Sequence, residues 1–312
     1  MKRDGHRPLE LPPMMLECCP NDNYALLDSG DGQKLERYGD FILQRPEAQA
    51  IWSRQRSEAE WAAADAIFTG GSDDDSDGRW HFPKKKLHET WRMTCDGLPY
   101  LGRFTAFRHV GVFAEQIVHW RHMRELIEGS DRQLKVLNLF GYTGLASLIA
   151  ADAGAHVTHV DASKKAIGWA RENQDLAGLN ERPIRWICED ALKFVQREIR
   201  RGNTYDIILA DPPAYGRGPN GEVWQLFENL GALVDGCRDI LSTQPSMFVL
   251  TTYAIRASFF AAHELVMDAF TGFTPHGEVQ SGELILREER TGRGLSTSMY
   301  TRWTPLTETA KS

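Results

Sequence analysis

The feature that most constrains the fold is a regular alternation of short apolar segments and longer amphipathic segments after residue 130. Short apolar runs bounded by glycine or polar residues are typical of buried strands, and apolar positions repeated every three or four residues are typical of helices. Strands that alternate with helices build a parallel sheet covered by helices. The predicted strands are 135–140, 156–161, 184–188, 205–210 and 247–251, and the predicted helices are 145–153, 163–177, 191–200, 223–241 and 257–270.

The last part of the chain breaks this alternation. Two apolar segments, 278–286 and 295–300, flank the turn sequence Thr291-Gly292-Arg293-Gly294 with no helix between them. This pattern predicts a β-hairpin. The sequence therefore predicts an α/β, Rossmann-like sheet of seven strands with an antiparallel C-terminal hairpin, which is typical of class I methyltransferases and differs from the parallel sheet of dinucleotide dehydrogenases.

The residues before this sheet divide into an arm and a smaller domain. Residues 1–21 are rich in proline and lack periodicity, which predicts a loose N-terminal arm. Residues 22–107 combine strand-like runs, glycine turns and an amphipathic segment at 47–68 that predicts a helix. We expect a small N-terminal mixed β/α domain over 22–107 and the large domain over 108–312.

Composition excludes several classes of protein. The formal net charge is −7, so binding to nucleic acid would depend on a local basic patch. No apolar run is long enough to span a membrane, and the first residues carry charges and prolines where a signal peptide is apolar, so we expect a cytoplasmic protein with no membrane partner. The five cysteines form no CxxC pair, which predicts neither a disulfide framework nor a metal site.

A glycine-containing turn follows the first predicted strand of the large domain. Glycine lets backbone N–H groups approach a ligand closely, and the N-terminus of the next helix favours a negatively charged group. The turn lacks the third glycine of the dinucleotide pattern GxGxxG, which disfavours a nicotinamide cofactor. The candidate cofactor-binding residues here are Asn138, Phe140, Gly141, Tyr142, Thr143 and Gly144.

Acidic residues end the next two predicted strands. Asp161, followed by Ala162, stands where a carboxylate can accept hydrogen bonds from both hydroxyls of a ribose. Glu189-Asp190-Ala191 stands where a side chain can reach an adenine amino group. Both acids have an alternative interpretation, Asp161 as a helix N-terminal residue and Asp190 as the N-cap of the following helix.

The sequence Asp211-Pro212-Pro213-Ala214-Tyr215 follows the fourth predicted strand. Two consecutive prolines impose an extended turn, because each fixes φ and removes a backbone donor. Such a turn exposes the Asp211 carboxylate and the Pro212 carbonyl as acceptors for a substrate amino group. The aromatic ring of Tyr215 could stack on a base taken out of its helix. We therefore assign Asp211, Pro212 and Tyr215 as candidate catalytic residues.

Together these motifs resemble those of bacterial large-subunit ribosomal RNA methyltransferases, the group typified by cytosine-C5 enzymes. The matching segments are 136–144, 157–173 and 206–215, and the resemblance covers about residues 108–270. It implies that S-adenosylmethionine binds across the carboxyl ends of the first four strands. It also implies that Phe113 and Gln116, on the segment before the first strand, contact the methionine end of this cofactor.

Two departures from that family bear on the chemistry. Its PUA-type RNA-binding module is not recognisable in the first 110 residues, and its nucleophilic cysteine after the fifth strand is replaced by Thr251-Thr252-Tyr253. C5 methylation of cytosine needs a thiolate that attacks C6 of the base. We therefore expect methyl transfer to an amino nitrogen or to another nucleophile that needs no covalent adduct.

The leading hypothesis is methylation of RNA, with ribosomal RNA as the partner. The basic run Lys84, Lys85 and Lys86, together with Arg79 and Arg92, is the candidate phosphate contact. Its alternative is a solvated loop paired with the acidic loop 73–78 beside it. Two other functions stay open: methylation of a small molecule or a protein side chain, and cofactor binding without catalysis. The oligomeric state stays open too.

Overall fold

The computed structural model describes residues 14–21, 23–70, 78–253 and 257–306. The first thirteen residues of the predicted arm and the acidic run Asp73–Asp77 lie outside these ranges.

A single mixed sheet organises the large domain. Its strand order is β1-β16-β17-β15-β12-β9-β10-β11, and β17 runs antiparallel to both of its neighbours. Leaving β1 aside, this is the predicted seven-stranded class I arrangement with its antiparallel C-terminal hairpin. The strand bounds are β1 Met14–Cys18, β9 Lys135–Leu139, β10 His156–Asp161, β11 Ile184–Cys188, β12 Ile207–Ala210, β15 Met247–Tyr253, β16 Gly277–Arg287 and β17 Gly294–Pro305.

Helices cover both faces of this sheet, and an apolar core lies between the helices and each face. Leu148 and Ile149 pack under one face, and Phe194 and Val234 pack under the other, all fully buried. The apolar faces of the helices bury against the strands, which is the largest favourable term in the stability of such a layered fold. The helix bounds are α2 Ile117–Glu128, α3 Leu145–Asp152, α4 Lys164–Leu176, α5 Ala191–Arg201, α6 Leu226–Asp239 and α7 Phe259–Ala269.

The edge strand β1 is an addition that the sequence did not predict. Met14–Cys18 was expected to belong to a loose arm, yet it pairs in parallel with β16 and becomes an eighth strand. A side chain at Gly282 would collide with the backbone of Met14, so glycine is needed for the two strands to pack this closely. Polar and apolar residues do not alternate clearly over 14–18, which is why periodicity gave no signal.

The smaller domain consists of a five-stranded sheet, a two-stranded hairpin and one short helix. Its sheet order is β2-β3-β4-β5-β6, and β7 pairs with β8. The bounds are β2 Tyr24–Gly30, β3 Gln33–Tyr38, β4 Phe41–Pro46, α1 Glu58–Ala62, β5 Ala66–Thr69, β6 Arg79–His81, β7 Thr90–Cys95 and β8 Leu98–Arg103.

The predicted helix over 47–68 is wrong in its extent. Only Glu58–Ala62 is helical, starting at Ser57, whose side chain and Glu60 form a reciprocal capping box. The preceding residues cross the end of the β2–β3 hairpin instead, where the backbone of Ser53 and Arg54 packs directly against Gly30. Tertiary contact with this hairpin therefore overrides the helical spacing of the apolar residues.

Hydrogen bonds and ion pairs join the two domains closely. The side chain of Asn173 accepts from the backbone N–H of Leu101 (2.9 Å), and the indole of Trp169 donates to the Leu101 carbonyl (3.1 Å). Arg121 forms an ion pair with Asp96 at 2.7 Å. Because a shared apolar cluster also crosses this boundary, the small domain has a fixed position beside the large sheet.

No helix in the described ranges is both long and apolar enough to cross a membrane.

Candidate cofactor and substrate site

A cavity of about 340 Å³ opens at the carboxyl ends of β9, β10, β11 and β12. A narrower one of about 50 Å³ adjoins it beside α2 and α3 and shares part of its lining. Together they bring most of the sequence-predicted site residues to one place, although these residues come from five separate segments of the chain. The predicted residues in the two linings are Phe113, Gln116, Asn138, Phe140, Gly141, Tyr142, Thr143, Asp161, Ala162, Glu189, Asp190, Ala191, Asp211 and Pro212.

The turn after β9 has the close packing that its glycines predict. A Cβ at Gly141 would collide with the ring of His159 and lie 2.9 Å from Nδ2 of Asn138. Gly144 has φ +81° and begins α3, but it lies outside both linings. The role of Gly144 is therefore to form the turn. Thr143 donates a 2.6 Å hydrogen bond to the Gly111 carbonyl, which fixes the turn against the segment before α2.

Asp161 lies at the end of β10 and faces the larger cavity. One carboxylate oxygen accepts from the backbone N–H of Tyr142 (2.9 Å) and the other from that of Ser163 (2.7 Å). Burial raises the pKa of this carboxyl to about 6, although both hydrogen bonds lower it. Each oxygen keeps acceptor capacity, so the group is suited to receive two hydroxyl donors.

The acids after β11 have different surroundings. Asp190 caps α5 by accepting from the N–H of Lys193 (2.9 Å), so its N-cap interpretation is correct. Glu189 forms an ion pair with Arg197 at 2.6 Å and still lines the cavity. Both acids line the larger cavity, and each is held in place, Asp190 by its capping bond and Glu189 by its ion pair.

The Asp211-Pro212-Pro213 turn leads into a small hairpin that the sequence did not reveal. Its strands are β13 Tyr215–Arg217 and β14 Val223–Gln225, and Gly216 pairs with Trp224 across it. Trp224 is buried, packs 5.0 Å from Phe140 between ring centroids and donates from Nε1 to the Pro213 carbonyl at 2.7 Å. The tryptophan therefore holds the proline turn against the cavity wall.

Tyr215 does not take the place that the sequence suggested. Side chains alternate between the two faces of a strand, so Tyr215 and Trp224 project from opposite faces of this hairpin. Tyr215 is 38% exposed and is absent from both linings, whereas Trp224 belongs to the larger one. The aromatic wall next to Asp211 is Trp224 rather than Tyr215, and only knowledge of the hairpin could have shown this.

Tyr253 and His109 also line the larger cavity, although neither was predicted from the sequence to be a site residue. Tyr253, at the end of β15, receives a 2.7 Å hydrogen bond from Arg108, and Arg108 also donates to the Pro46 carbonyl. His109 packs 4.8 Å from Phe113 between ring centroids. The Arg108 bonds connect the small domain directly to the cavity wall.

Cysteine is absent from the described linings of both cavities. Burial raises the pKa of Cys237 above its usual range, and this residue lies inside α6. Cys188 is exposed at the end of β11, where its thiol contacts the Ala162 carbonyl. Within the described ranges, no group of His, Cys, Asp and Glu side chains could hold a metal ion.

The predicted basic run lies away from these cavities. Lys84 is paired with Asp65 at 2.9 Å and also donates to the Ala63 carbonyl. Lys85 and Lys86 are exposed, and none of the three lysines lines either cavity. The alternative pairs this run with the acidic loop Asp73–Asp77, which lies outside the described residues; Lys84 is instead paired with Asp65.

These residues suit an adenosine-containing cofactor. Gly141 presents backbone without a side chain to the narrower cavity, and Asp161 can accept hydrogen bonds from a ribose. The strand order, the antiparallel β17 and the acid after the second strand of the motif together define a class I S-adenosylmethionine-dependent methyltransferase.

The comparisons agree with this class. Residues 56–234 match the family described as S-adenosylmethionine-dependent methyltransferases, and the chain belongs to this family. The crystal structure of such a methyltransferase from Agrobacterium tumefaciens is 57% identical, with 98% of each chain covered and a TM-score of 0.91. A methyltransferase from Streptococcus mutans shares the fold alone, at 20% identity and a TM-score of 0.67, with 91% of this chain and 75% of that one covered. The predicted fold, enzyme class and cofactor are therefore confirmed.

Curated relatives carry more specific names. Ribosomal RNA large subunit methyltransferase K of Neisseria meningitidis is 24% identical over 70% of this chain and 62% of its own length. Ribosomal RNA large subunit methyltransferase K/L of a Psychrobacter species is 33% identical over 42% of this chain and 16% of its own. The predicted resemblance to this group is confirmed, and the chain spans less than two thirds of the length of these relatives.

Proposed function

We propose that the enzyme methylates a base of RNA, with ribosomal RNA in the cytoplasm as its substrate. The printed names of the Neisseria and Psychrobacter relatives support this substrate class. The observation that carries the proposed chemistry is the Asp211-Pro212-Pro213 turn, which lines a cavity whose described wall contains no cysteine. A nitrogen nucleophile needs hydrogen-bond acceptors and alignment but no thiolate.

The cofactor supplies, when bound, a methyl group on a positively charged sulfur. Held by Asp161 and the Gly141 turn, the cofactor would give this methyl group to a nitrogen lone pair of the base, and the electron pair of the broken carbon–sulfur bond would stay on the sulfur of S-adenosylhomocysteine. Asp211 and the Pro212 carbonyl accept hydrogen bonds from the amino group and align its lone pair. The proton that the nitrogen loses passes to Asp211 or to water. Trp224 and Phe140 exclude water from one side of the cavity.

The direct test is the location of transferred label. The purified protein and tritiated S-adenosylmethionine are incubated with ribosomal RNA from a deletion strain, and with the protein and small-molecule fractions of the same strain. We expect label in RNA only. Asp211→Asn should lower kcat by about 10² to 10³ and leave cofactor affinity within a few-fold, because the carboxylate acts at the reacting centre. Label in another fraction would assign the enzyme to a different substrate class.

RNA that contains 5-fluorocytidine tests the absence of a covalent adduct. The fluorine blocks release of a C5 enzyme from its adduct, so such an enzyme would remain attached to the RNA. We expect no protein–RNA band after denaturation, and Cys188→Ser and Cys237→Ser should each keep kcat within about threefold. A band that disappears in one of these variants would instead assign cytosine-C5 chemistry.

A further inference from the structure

The small domain carries a second recess, which we call the aromatic groove. Its volume is about 750 Å³, and it is lined by Arg79, Trp80, Phe82, Lys86, His88 and Phe104 among others. It shares no described lining residue with the two cavities of the methyltransferase site. A ligand in the groove would therefore bind in addition to the cofactor.

The floor of the groove is a fixed set of aromatic rings. Phe104 is buried, and its ring centroid lies 4.9 Å from that of Trp80 and 5.2 Å from that of Phe82, both in edge-to-face geometry. Trp80 also donates from Nε1 to the Phe107 carbonyl at 3.2 Å. Trp80 and Phe82 remain partly exposed, so their rings are held in place while part of each is open to a ligand.

The rim of the groove is positively charged, although the chain as a whole is acidic. Arg79 and Lys86 are both exposed, and neither forms a salt bridge to an acid within the described ranges. The segment 79–88 contains no Asp or Glu. Glu89 is the one acid of the described lining.

Aromatic faces beside cations that have no acidic partner among the described residues match one ligand chemistry best. Bases stack on aromatic rings whatever their sequence, and phosphates are attracted to the neighbouring cations. A protein segment that fitted an apolar floor would gain little from the cationic rim, and a small anion would gain little from the rings.

We propose that the aromatic groove binds a single-stranded segment of the RNA substrate outside the methyl-transfer cavity. Bases stack on Trp80 and Phe82, and the backbone phosphates lie against Arg79 and Lys86. Contacts in the groove then add to the affinity for RNA and fix which nucleotide reaches the methyl-transfer cavity, where the chemistry takes place at Asp211. This inference rests on the proposed RNA substrate.

Three variants separate the contributions of charge and stacking. Arg79→Ala/Lys86→Ala removes two rim charges, and Phe82→Ala removes one stacking surface. Arg200→Ala, at the exposed C-terminal end of α5, is the control for loss of an exposed positive charge elsewhere on the surface. RNA affinity is measured by fluorescence anisotropy with a labelled single-stranded segment of the RNA that accepts label, and cofactor affinity is measured by calorimetry on the same proteins.

We expect Phe82→Ala to weaken RNA binding by about tenfold. Arg79→Ala/Lys86→Ala should lower the slope of log affinity against log salt concentration by about 1.4, since two phosphate contacts on a single strand are lost. Both variants should raise KM for RNA, with kcat and cofactor affinity unchanged. Arg200→Ala should match the parent protein.

Two negative results have different meanings. If no RNA fraction accepts label, the proposed function fails. If RNA accepts label but the rim variant keeps the parent's KM and salt slope, the groove is not an RNA site and this inference fails. Arg79→Ala/Lys86→Ala, the rim variant, alters exposed side chains only and should fold. It therefore tests the inference even if Phe82→Ala does not fold.

Discussion

If Asp161 accepts the ribose hydroxyls as we propose, cofactor binding depends on pH. Only the carboxylate form accepts both hydroxyls, and a pKa of about 6 means that much of the group is protonated at pH 5. We expect the dissociation constant for S-adenosylmethionine to rise about tenfold between pH 7 and pH 5, by linkage. Calorimetry across this range checks the shift. A flat profile in the parent protein would show that the ionised form is not required.

The same pKa shift affects folding in the opposite direction. A folded-state pKa above the usual 3.8 means that the folded protein prefers the protonated carboxyl. The resulting contribution to the free energy of unfolding is fully present below about pH 4 and is lost as the pH rises through about 6. Urea unfolding without cofactor should show this loss in the parent protein and not in Asp161→Ala. The pH that favours cofactor binding is therefore higher than the pH at which Asp161 contributes most to the free energy of unfolding.

Trp224 and Tyr215 can be distinguished by substitution. Trp224→Ala removes a wall of the cavity and the hydrogen bond to the Pro213 carbonyl, so we expect kcat/KM to fall by at least tenfold. Tyr215→Ala should have a smaller effect, because its ring lies outside the cavity. Single-turnover kinetics with RNA measure both. An equal or larger effect of Tyr215→Ala would restore the role that the sequence suggested for it.

Individual lining residues were predictable near the end of a strand. Asp161 ends an apolar run, Asp211 follows one and Asn138 lies one residue before the end of β9, and parallel strands bring their carboxyl ends to one edge. Trp224 and Tyr253 were missed as lining residues, because the position of Trp224 depends on a hairpin and that of Tyr253 on a hydrogen bond from Arg108, which periodicity does not show. One sequence feature could have identified Tyr253 as a lining residue, since it occupies the region where the resembled family has its nucleophilic cysteine.

At the scale of elements, errors arose where a short strand precedes a helix. The segment 223–241 was predicted to be one helix, but Val223–Gln225 is a strand and the helix begins at Leu226. Three residues are too few for an alternating pattern to be detected. Long elements with several turns or a bounded apolar run, such as α4 and β10, were located to within a residue or two.

The pairing of β1 with β16 can be broken by one substitution. Gly282→Ala places a methyl group against the backbone of Met14, so β1 must move away. We expect the free energy of unfolding to fall by about 1 to 3 kcal/mol. The control is Gly168→Ala in the exposed part of α4, where an added methyl meets open space and alanine should stabilise the helix by up to about 1 kcal/mol. Urea unfolding of both variants, and amide exchange over residues 14–18, give the comparison.

If Gly282→Ala unfolds like the parent protein and residues 14–18 stay protected from exchange, the close packing of these strands is not needed for their pairing.

At the scale of the whole molecule, a buried ion pair inside the small domain is hydrogen-bonded to the large one. Arg45 forms an ion pair with Glu36 at 2.7 Å and donates to the Arg108 carbonyl at 3.0 Å, while Arg108 contacts Tyr253 of the cavity. Neighbouring cations hold the pKa of Glu36 below its usual value despite its burial. The small domain is therefore linked to the active-site wall by charged groups as well as by apolar packing.

Removing one partner of this pair should cost more than removing both. Glu36→Ala leaves the Arg45 charge buried, and we expect a loss of about 3 to 5 kcal/mol in the free energy of unfolding. Glu36→Leu/Arg45→Met should lose less, because no uncompensated charge remains between these two positions. Denaturant titrations at pH 7 measure both. A double variant that is less stable than Glu36→Ala would show that the pair itself contributes net stability.

The sequence predicted the large sheet of seven strands and its antiparallel C-terminal hairpin, because these follow from periodicity and from the rules for parallel strands. It could not show how the small domain is held. The contacts of Arg45, Asn173 and Trp169 join positions far apart in the chain, and a single sequence records no such pairing. The aromatic groove was missed as a groove for the same reason, although its basic residues were noted.

The pairing of β1 with β16 has a consequence for biosynthesis. Met14 lies opposite Gly282, so the first strand of this sheet emerges from the ribosome long before its partner has been translated. The methionines of β1 remain partly exposed even in the finished sheet, and until β16 arrives both edges of the strand lack a partner. An unpaired strand can join the edge of another chain. Nascent chains of this enzyme should thus be most vulnerable to aggregation on crowded polysomes, and a chaperone that shields residues 14–18 until translation of β17 is complete would raise the folded yield.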